Sequence, residues 1–185
     1  NAISNFYLPL SVAPNFLING KSYILPMVTE ESSVVAAAAN AAKFWATRGG
    51  FHAEIVGTEK TGQVHFLFTG THQSLTSFFH FVKPTLLKET DAITKNMRKR
   101  GGGIVDIELV DSTKNMANYY QLHVRFETAD AMGANFINSC LEQLAQTLQN
   151  EAAIYAHFSK TEKQIKVVMS ILSNYVPGSR VKAWV

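Results

Sequence analysis

Apolar positions along the chain switch between two periods, and the switch points mark the elements. Phe6 to Val12 is a short strand candidate ended by Ala13-Pro14. Phe16-Leu17-Ile18, Asn19-Gly20 and Ser22-Tyr23-Ile24-Leu25 predict a hairpin, because Asn-Gly suits the two left-handed positions of a type I′ turn. Thr29-Glu30-Glu31-Ser32-Ser33 opens a helix over Val34–Thr47, with Thr29 or Ser32 as cap and Gly49-Gly50 as stop. Its six alanines between positions 36 and 42 read as a closely packed, buried helix. Further on, Gln63–Phe68, Ile104–Leu109, Tyr119–Phe126 and Ile165–Leu172 read as strands. One long helix is expected from about Gln73 to Arg100, kinked at Pro84, and another from Ala131 to about Gln149. The last five residues, from Val181, start a further strand.

The order from Gln63 onward is βαββαβ, that of a ferredoxin-like domain. The fold class expected is therefore α+β, with this ferredoxin-like domain inserted into part of a larger α+β domain. The boundaries expected are residues 1–50 for the first piece of the larger domain, 51–174 for the inserted domain and 175–185 for the return.

Composition narrows the classes. With 46% hydrophobic residues among 185, the chain can bury a sizeable core. A net charge of +3, with one dense basic cluster at Lys95, Arg98, Lys99 and Arg100, argues against a nucleic-acid partner. A single cysteine, Cys140, excludes an internal disulfide and suits a reducing cytoplasm. No apolar run is long enough for a membrane span, and no signal peptide is visible. The chain lacks an initiator Met and reads as a piece of a longer protein. The six histidines show no metal-ligand spacing, so no metal is expected, and His65 and His123 fall in strands as structural residues.

Candidate chemistry centres on Asp130-Ala131-Met132-Gly133-Ala134-Asn135, between a strand and a helix. Asp130 reads as the helix N-cap. Gly133 in the first turn lowers helix propensity, which suggests close approach to the backbone by a ligand, and a helix N-terminus seats anions. A plain capped helix with a tolerated glycine fits the spacing equally well. At Glu30-Glu31, two acids at a helix start serve simply to complement the dipole, or else the apolar strand exit and the Ala-rich helix on either side bury Glu31 and keep its carboxyl protonated.

The string D-A-M-G-A-N, followed by Asn138, resembles the dinucleotide-binding motif of 3-hydroxy-3-methylglutaryl-coenzyme A (HMG-CoA) reductases, particularly the bacterial class II form. The stretch from Pro26 to Ala38 is similar to that family's substrate-loop motif, with Ser32 where relatives often carry Pro. The resemblance implies an oxidoreductase that interconverts HMG-CoA with mevalonate and coenzyme A, using two NAD(P)H. It implies Glu31 as the catalytic acid, Ser33 as a substrate contact, and Asn174 near substrate and nicotinamide. Asp130, Ala131, Met132, Gly133 and Asn135 would hold the cofactor. Gly101-Gly102-Gly103 matches a Gly-rich break in the family, although a helix stop explains it as well.

NAD-using relatives place an Asp ahead of that break to bind the ribose, and the matching register falls on Thr94, with Lys95, Arg98 and Lys99 nearby. A hydroxyl beside cations accepts a 2′-phosphate that a carboxylate repels, so the choice between NADPH and NADH leans to NADPH. A shift of register would bring Asp91 into that role instead. The resemblance further implies a cytoplasmic homodimer or higher homo-oligomer. The family's Lys, Asp and His find no counterpart in these residues, so the chain alone is expected to be inactive. The competing reading is a non-catalytic ferredoxin-like ligand-binding or regulatory module.

Overall fold

The computed structural model describes residues 2–185. The chain forms two compact units, one of residues up to Val56 with Val181–Val185, the other Gly57–Arg180. Helices combine with antiparallel strand pairs in both units.

In the first unit, β1 (Leu10–Ile18) and β2 (Lys21–Val28) pair antiparallel. Asn19 (φ 50°) and Gly20 (φ 77°) join them, both left-handed as a type I′ turn requires. Phe6 to Val12 was expected to end as a strand at Ala13-Pro14. Instead β1 begins at Leu10 and runs through Pro14, because the register shifts between Ala13 and Phe16. A bulge releases a proline from its ladder bond, and Asn15 adopts a positive φ of 74° there.

Helix α1 (Ser32–Ala46) starts two residues earlier than expected. Its cap is neither Thr29 nor Ser32 but Glu31, in extended conformation and with no side-chain capping bond. The expected all-round burial is also corrected: only Val35 and Ala42 are buried, and the other alanines of α1 are exposed or half-buried. The unexpected strand β3 (His52–Thr58) pairs with β8 (Ser179–Trp184), and the His52 and Trp184 rings stack 5.5 Å apart.

The second unit contains β4 (Lys60–Leu67), α2 (His72–Glu89), α3 (Asp91–Arg98), β5 (Gly103–Asp111), β6 (Tyr119–Glu127), α4 (Ala134–Ile154) and β7 (Lys166–Leu172). The four strands form one antiparallel sheet in the order β5-β6-β4-β7. Alternation decides which face carries the core. Tyr120, Leu122, Val124 and Phe126 of β6 are buried, with Val64 and Phe66 of β4 beside them. Against them pack Leu75, Phe78 and Val82 of α2 and Ile137, Leu141, Leu144 and Leu148 of α4. Each such side chain contributes roughly 1.5–3 kcal/mol of transfer free energy, which fixes α4 firmly onto the sheet.

The single long helix expected over residues 73–100 is two helices. Pro84 lies inside α2 without ending it. The break falls at Thr90, whose Oγ1 donates to the Leu87 carbonyl at 2.7 Å, a side-chain bond that competes with helix continuation. Cys140 is buried in the core, where desolvation pushes its thiol up to about 12. It is inert packing, since a thiol held neutral is no nucleophile. No helix among the described residues is long and apolar enough to cross a membrane.

Candidate functional site

The connection from β6 to α4 is built differently from a capped helix. Thr128 is fully buried, and its Oγ1 donates to the Ala131 carbonyl at 2.7 Å while the Ala131 N–H donates back to the Thr128 carbonyl at 3.0 Å. Ala129 takes φ 51° to close this turn, an uncommon conformation for a residue with a Cβ. Its N–H donates to Glu127 Oε1 at 2.8 Å, and Glu127 also accepts from the Thr58 hydroxyl. Those bonds, the Thr58 one foremost, hold the Glu127 carboxyl below the usual carboxylate range.

Asp130 is therefore not the N-cap. It lies exposed within the turn, and Gly133 caps α4 in left-handed conformation (φ 77°). A Cβ on Gly133 would stand 2.6 Å from Thr128 Cγ2, so glycine is needed both for its φ and for the close approach of turn to strand end. No side chain caps the helix. The first-turn N–H groups of α4 consequently lack an intrahelical partner, and the positive end of the helix dipole is left open.

A cavity of about 280 Å³ lies over this helix start. Ala131, Met132, Gly133, Asn135 and Phe136 line it from one side, with Met97 and Arg100 from the end of α3 on the other. Met132 is 73% exposed, an apolar side chain held out in solvent beside the cavity. The Arg100 guanidinium stands 3.5 Å from Met97 Sδ and has no carboxylate partner among the described residues. A free guanidinium facing uncapped N–H groups is suited to a phosphate-bearing ligand.

Thr94 is not brought to this cavity. It is 3% exposed, and its hydroxyl donates to the Thr90 carbonyl at 3.0 Å within α3. Arg98 is engaged with Asp91 at 2.7 Å, while Lys95 and Lys99 are exposed. Of the basic cluster Lys95, Arg98, Lys99 and Arg100, the residue that reaches the cavity is Arg100, not those the sequence sets beside Thr94. The signal available was position: Arg100 directly precedes the glycine run that turns the chain into β5. Past that run, Asp106 pairs with Lys83 at 2.7 Å, and Arg125 lies 3.8 Å from Asp106 and from Glu108. The Lys83 hydrogen bond is the chief cause of the lowered Asp106 carboxyl. These acids are structural partners on the sheet.

Asn138, one turn into α4, accepts the Leu172 N–H on its Oδ1 at 2.9 Å. That bond ties α4 to the end of β7, where Ser173 Oγ donates to the Tyr175 carbonyl at 3.0 Å and shapes the turn that carries exposed Asn174.

In the first unit, Glu31 and Ser33 come together. Ser33 Oγ donates to Glu31 Oε1 at 2.5 Å, and the Glu31 N–H donates to Thr29 Oγ1 at 3.3 Å. The expected burial of Glu31 is not provided by these residues: Glu31, Ser32 and Ser33 are all exposed. Among the described residues no cluster of three or more His, Cys, Asp or Glu side chains suits a metal.

Sequence and fold comparisons give these placements a context. A sequence profile of the hydroxymethylglutaryl-coenzyme A reductase family matches residues 1–185. The chain is 34% identical over 149 residues to 3-hydroxy-3-methylglutaryl-coenzyme A reductase of Archaeoglobus fulgidus, covering 80% of this chain and 34% of that protein. To the probable reductase of Borreliella burgdorferi it is 29% identical over 187 residues, covering 99% of this chain and 38% of the relative. The fold is similar to the class II reductase from Streptococcus pneumoniae, bound to NADPH in open conformations. The TM-score is 0.79 at 33% identity, over 99% of this chain and 46% of that one. The chain thus spans between a third and a half of the length of these relatives. Profile, sequence and fold all match over most or all of the 185 residues, and the chain belongs to the hydroxymethylglutaryl-coenzyme A reductase family.

Proposed function

We propose that this chain forms part of an NAD(P)H-dependent HMG-CoA reductase, which interconverts HMG-CoA with mevalonate and coenzyme A at the expense of two reduced cofactors. The observation that carries this reading is the cavity at the start of α4, with its open helix dipole, its Gly133 cradle and Arg100. The strand order β5-β6-β4-β7 supports a ferredoxin-like domain for the second unit, serving as the nucleotide-binding domain. The first unit would then be part of a larger substrate domain. The exposed, Ala-rich α1 leaves a face for a second copy, consistent with a cytoplasmic homodimer or higher homo-oligomer.

The donor set fits a dinucleotide. Ala131, Met132, Gly133 and Asn135 would bring backbone and side chain against it, and α4 would present its N–H groups to the phosphates. Arg100, rather than Thr94, would take a ribose 2′-phosphate, which favours NADPH over NADH. Bound there, the cofactor supplies hydride. Asn174, two residues past the Leu172 that Asn138 holds, would orient the reacting carbonyl and the nicotinamide.

Reduction of a thioester to an alcohol also needs protons for the developing alkoxide and the departing thiolate. Glu31 is assigned that proton transfer at its carboxyl oxygens, and Ser33 holds one of them by hydrogen bond while also contacting substrate. The exposed Glu31 also suits the competing non-catalytic module, which needs no shielded acid.

The test is oxidation of NADPH and NADH with HMG-CoA by the full-length protein, beside a Glu31→Gln variant. Turnover by wild type, lost in the variant, supports the enzyme and the role of Glu31. A folded protein that oxidises neither cofactor supports the module.

A further inference from the structure

A second cavity of about 340 Å³ opens at the opposite end of α4, lined by Phe81, Glu151, Ile154, Tyr155, Ala156 and His157. Nothing in the reductase reading uses it. Three of its walls are rings. Phe81 and Tyr155 have centroids 5.2 Å apart at 40°, and Tyr155 and His157 lie 5.3 Å apart edge to face. Tyr155 is braced from behind by Phe78 at 5.0 Å and Phe158 at 4.9 Å, so its position is set by the core. Phe81, by contrast, is 60% exposed, an aromatic side chain on α2 open to solvent.

The charge around these rings is one-sided. Glu151 is half-buried and enters no ion pair among the described residues. Helix α4 ends here, at Ile154, and carries no basic residue in its last turn. Its carbonyl-rich, negative dipole end therefore has no cation of its own. Among the described residues no cation stands over Phe81 or Tyr155, although four other rings carry a Lys or Arg. Aromatic faces, an unpaired carboxylate and a bare helix C-terminus each attract positive charge, and here they converge on one concave space.

We propose that this cavity is a binding site for a small organic ammonium ion, received by the faces of Phe81, Tyr155 and His157 and paired with Glu151. An apolar ligand of the same shape would meet the rings but leave the carboxylate and the helix end unanswered. A carboxylate or phosphate would be repelled.

The experiment is titration of the intact protein with choline and, separately, with its uncharged carbon isostere dimethylbutanol, followed by amide and aromatic NMR shifts. The expected result is saturable choline shifts confined to Phe81 and residues 151–157, with the isostere about tenfold weaker, the scale of one desolvated cation–π contact. Phe81→Leu and Glu151→Gln, both at accessible positions, should each weaken choline by about three- to tenfold and leave thermal unfolding unchanged. Equal binding of choline and isostere would overturn the proposal, because the cavity would then be reading apolar surface alone. Absence of saturable choline shifts at these residues, in a protein whose spectrum shows it folded, would overturn it as well. NADPH binding at the other end of α4 is a separate readout, so failure here does not bear on the reductase reading.

Discussion

Asn138 holds the end of β7 by a single side-chain bond: its Oδ1 accepts the Leu172 N–H at 2.9 Å. The same helix, α4, presents the candidate cofactor cavity at its N-terminus, five residues earlier at Gly133. One rigid element thus positions both the turn at Gly133 and the strand that leads to Asn174. Removing the amide leaves a partly buried N–H without its partner, which costs about 1–3 kcal/mol. Asn138→Ala should lower stability by roughly that amount and raise amide exchange at Leu172 and Ser173, measured by hydrogen exchange with NMR. Unchanged protection at Leu172 would mean that the bond does not hold the strand.

Gly133→Ala should be more damaging than an ordinary surface change. The residue sits at φ 77°, and the added Cβ would meet Thr128 Cγ2 at 2.6 Å. Left-handed strain and the clash together predict a loss of about 1–3 kcal/mol in denaturant unfolding. Cofactor affinity should fall with it, since the N–H groups of α4 would be displaced. Thr128→Ser, which removes the clashing methyl, should restore part of the loss in the double variant.

Arg100→Gln should separate the two cofactors. A charge-assisted bond to a 2′-phosphate is worth about 1.5–3 kcal/mol, so NADPH affinity should drop about tenfold or more while NADH changes little. Thr94→Val, which keeps the buried volume near α3, should not shift that preference. Calorimetric Kd values for both nucleotides decide it, and a preference set by Thr94 instead would show the reverse pattern.

His65 introduces a pH dependence on the sheet. Burial first, and then the neighbouring His123, hold its pKa below the usual value, and its Nδ1 lies 2.5 Å from the Tyr119 hydroxyl. Below about pH 6.5 the unfolded chain therefore binds the proton more readily than the folded one. Stability should fall as pH is lowered from about 6.5 towards the folded-state pKa, and level off below it. His65→Gln should flatten that part of the profile, as measured by thermal unfolding between about pH 7 and pH 5.

Much of the strand pattern was legible because alternation is a local signal. Tyr119–Phe126 alternates strictly, and β6 runs Tyr119–Glu127 with every second residue buried. The Asn19-Gly20 turn was legible for the same reason, since two left-handed positions admit few residues. What escaped were features decided by contacts distant in sequence. Asp130 reads as the cap from its position, but Thr128 closes the turn, through a hydroxyl buried beneath it. Pro84 reads as a kink, yet α2 continues through it, and the chain breaks at Thr90. The sequence register points to Thr94 for phosphate recognition, but helix phase turns Thr94 inward and leaves Arg100 at the cavity. Glu31 read as shielded because its flanking sequence is apolar, whereas Ala-rich α1 keeps most of its surface outside the first unit's core.

The most direct measurement is an NMR titration of this chain with NADPH. The central claim predicts saturable shifts at Arg100 and at Ala131–Phe136, abolished or sharply weakened in Arg100→Gln. Saturable binding with shifts elsewhere, or no binding by a chain shown to be folded, would contradict the assignment of the α4 N-terminus as the dinucleotide site.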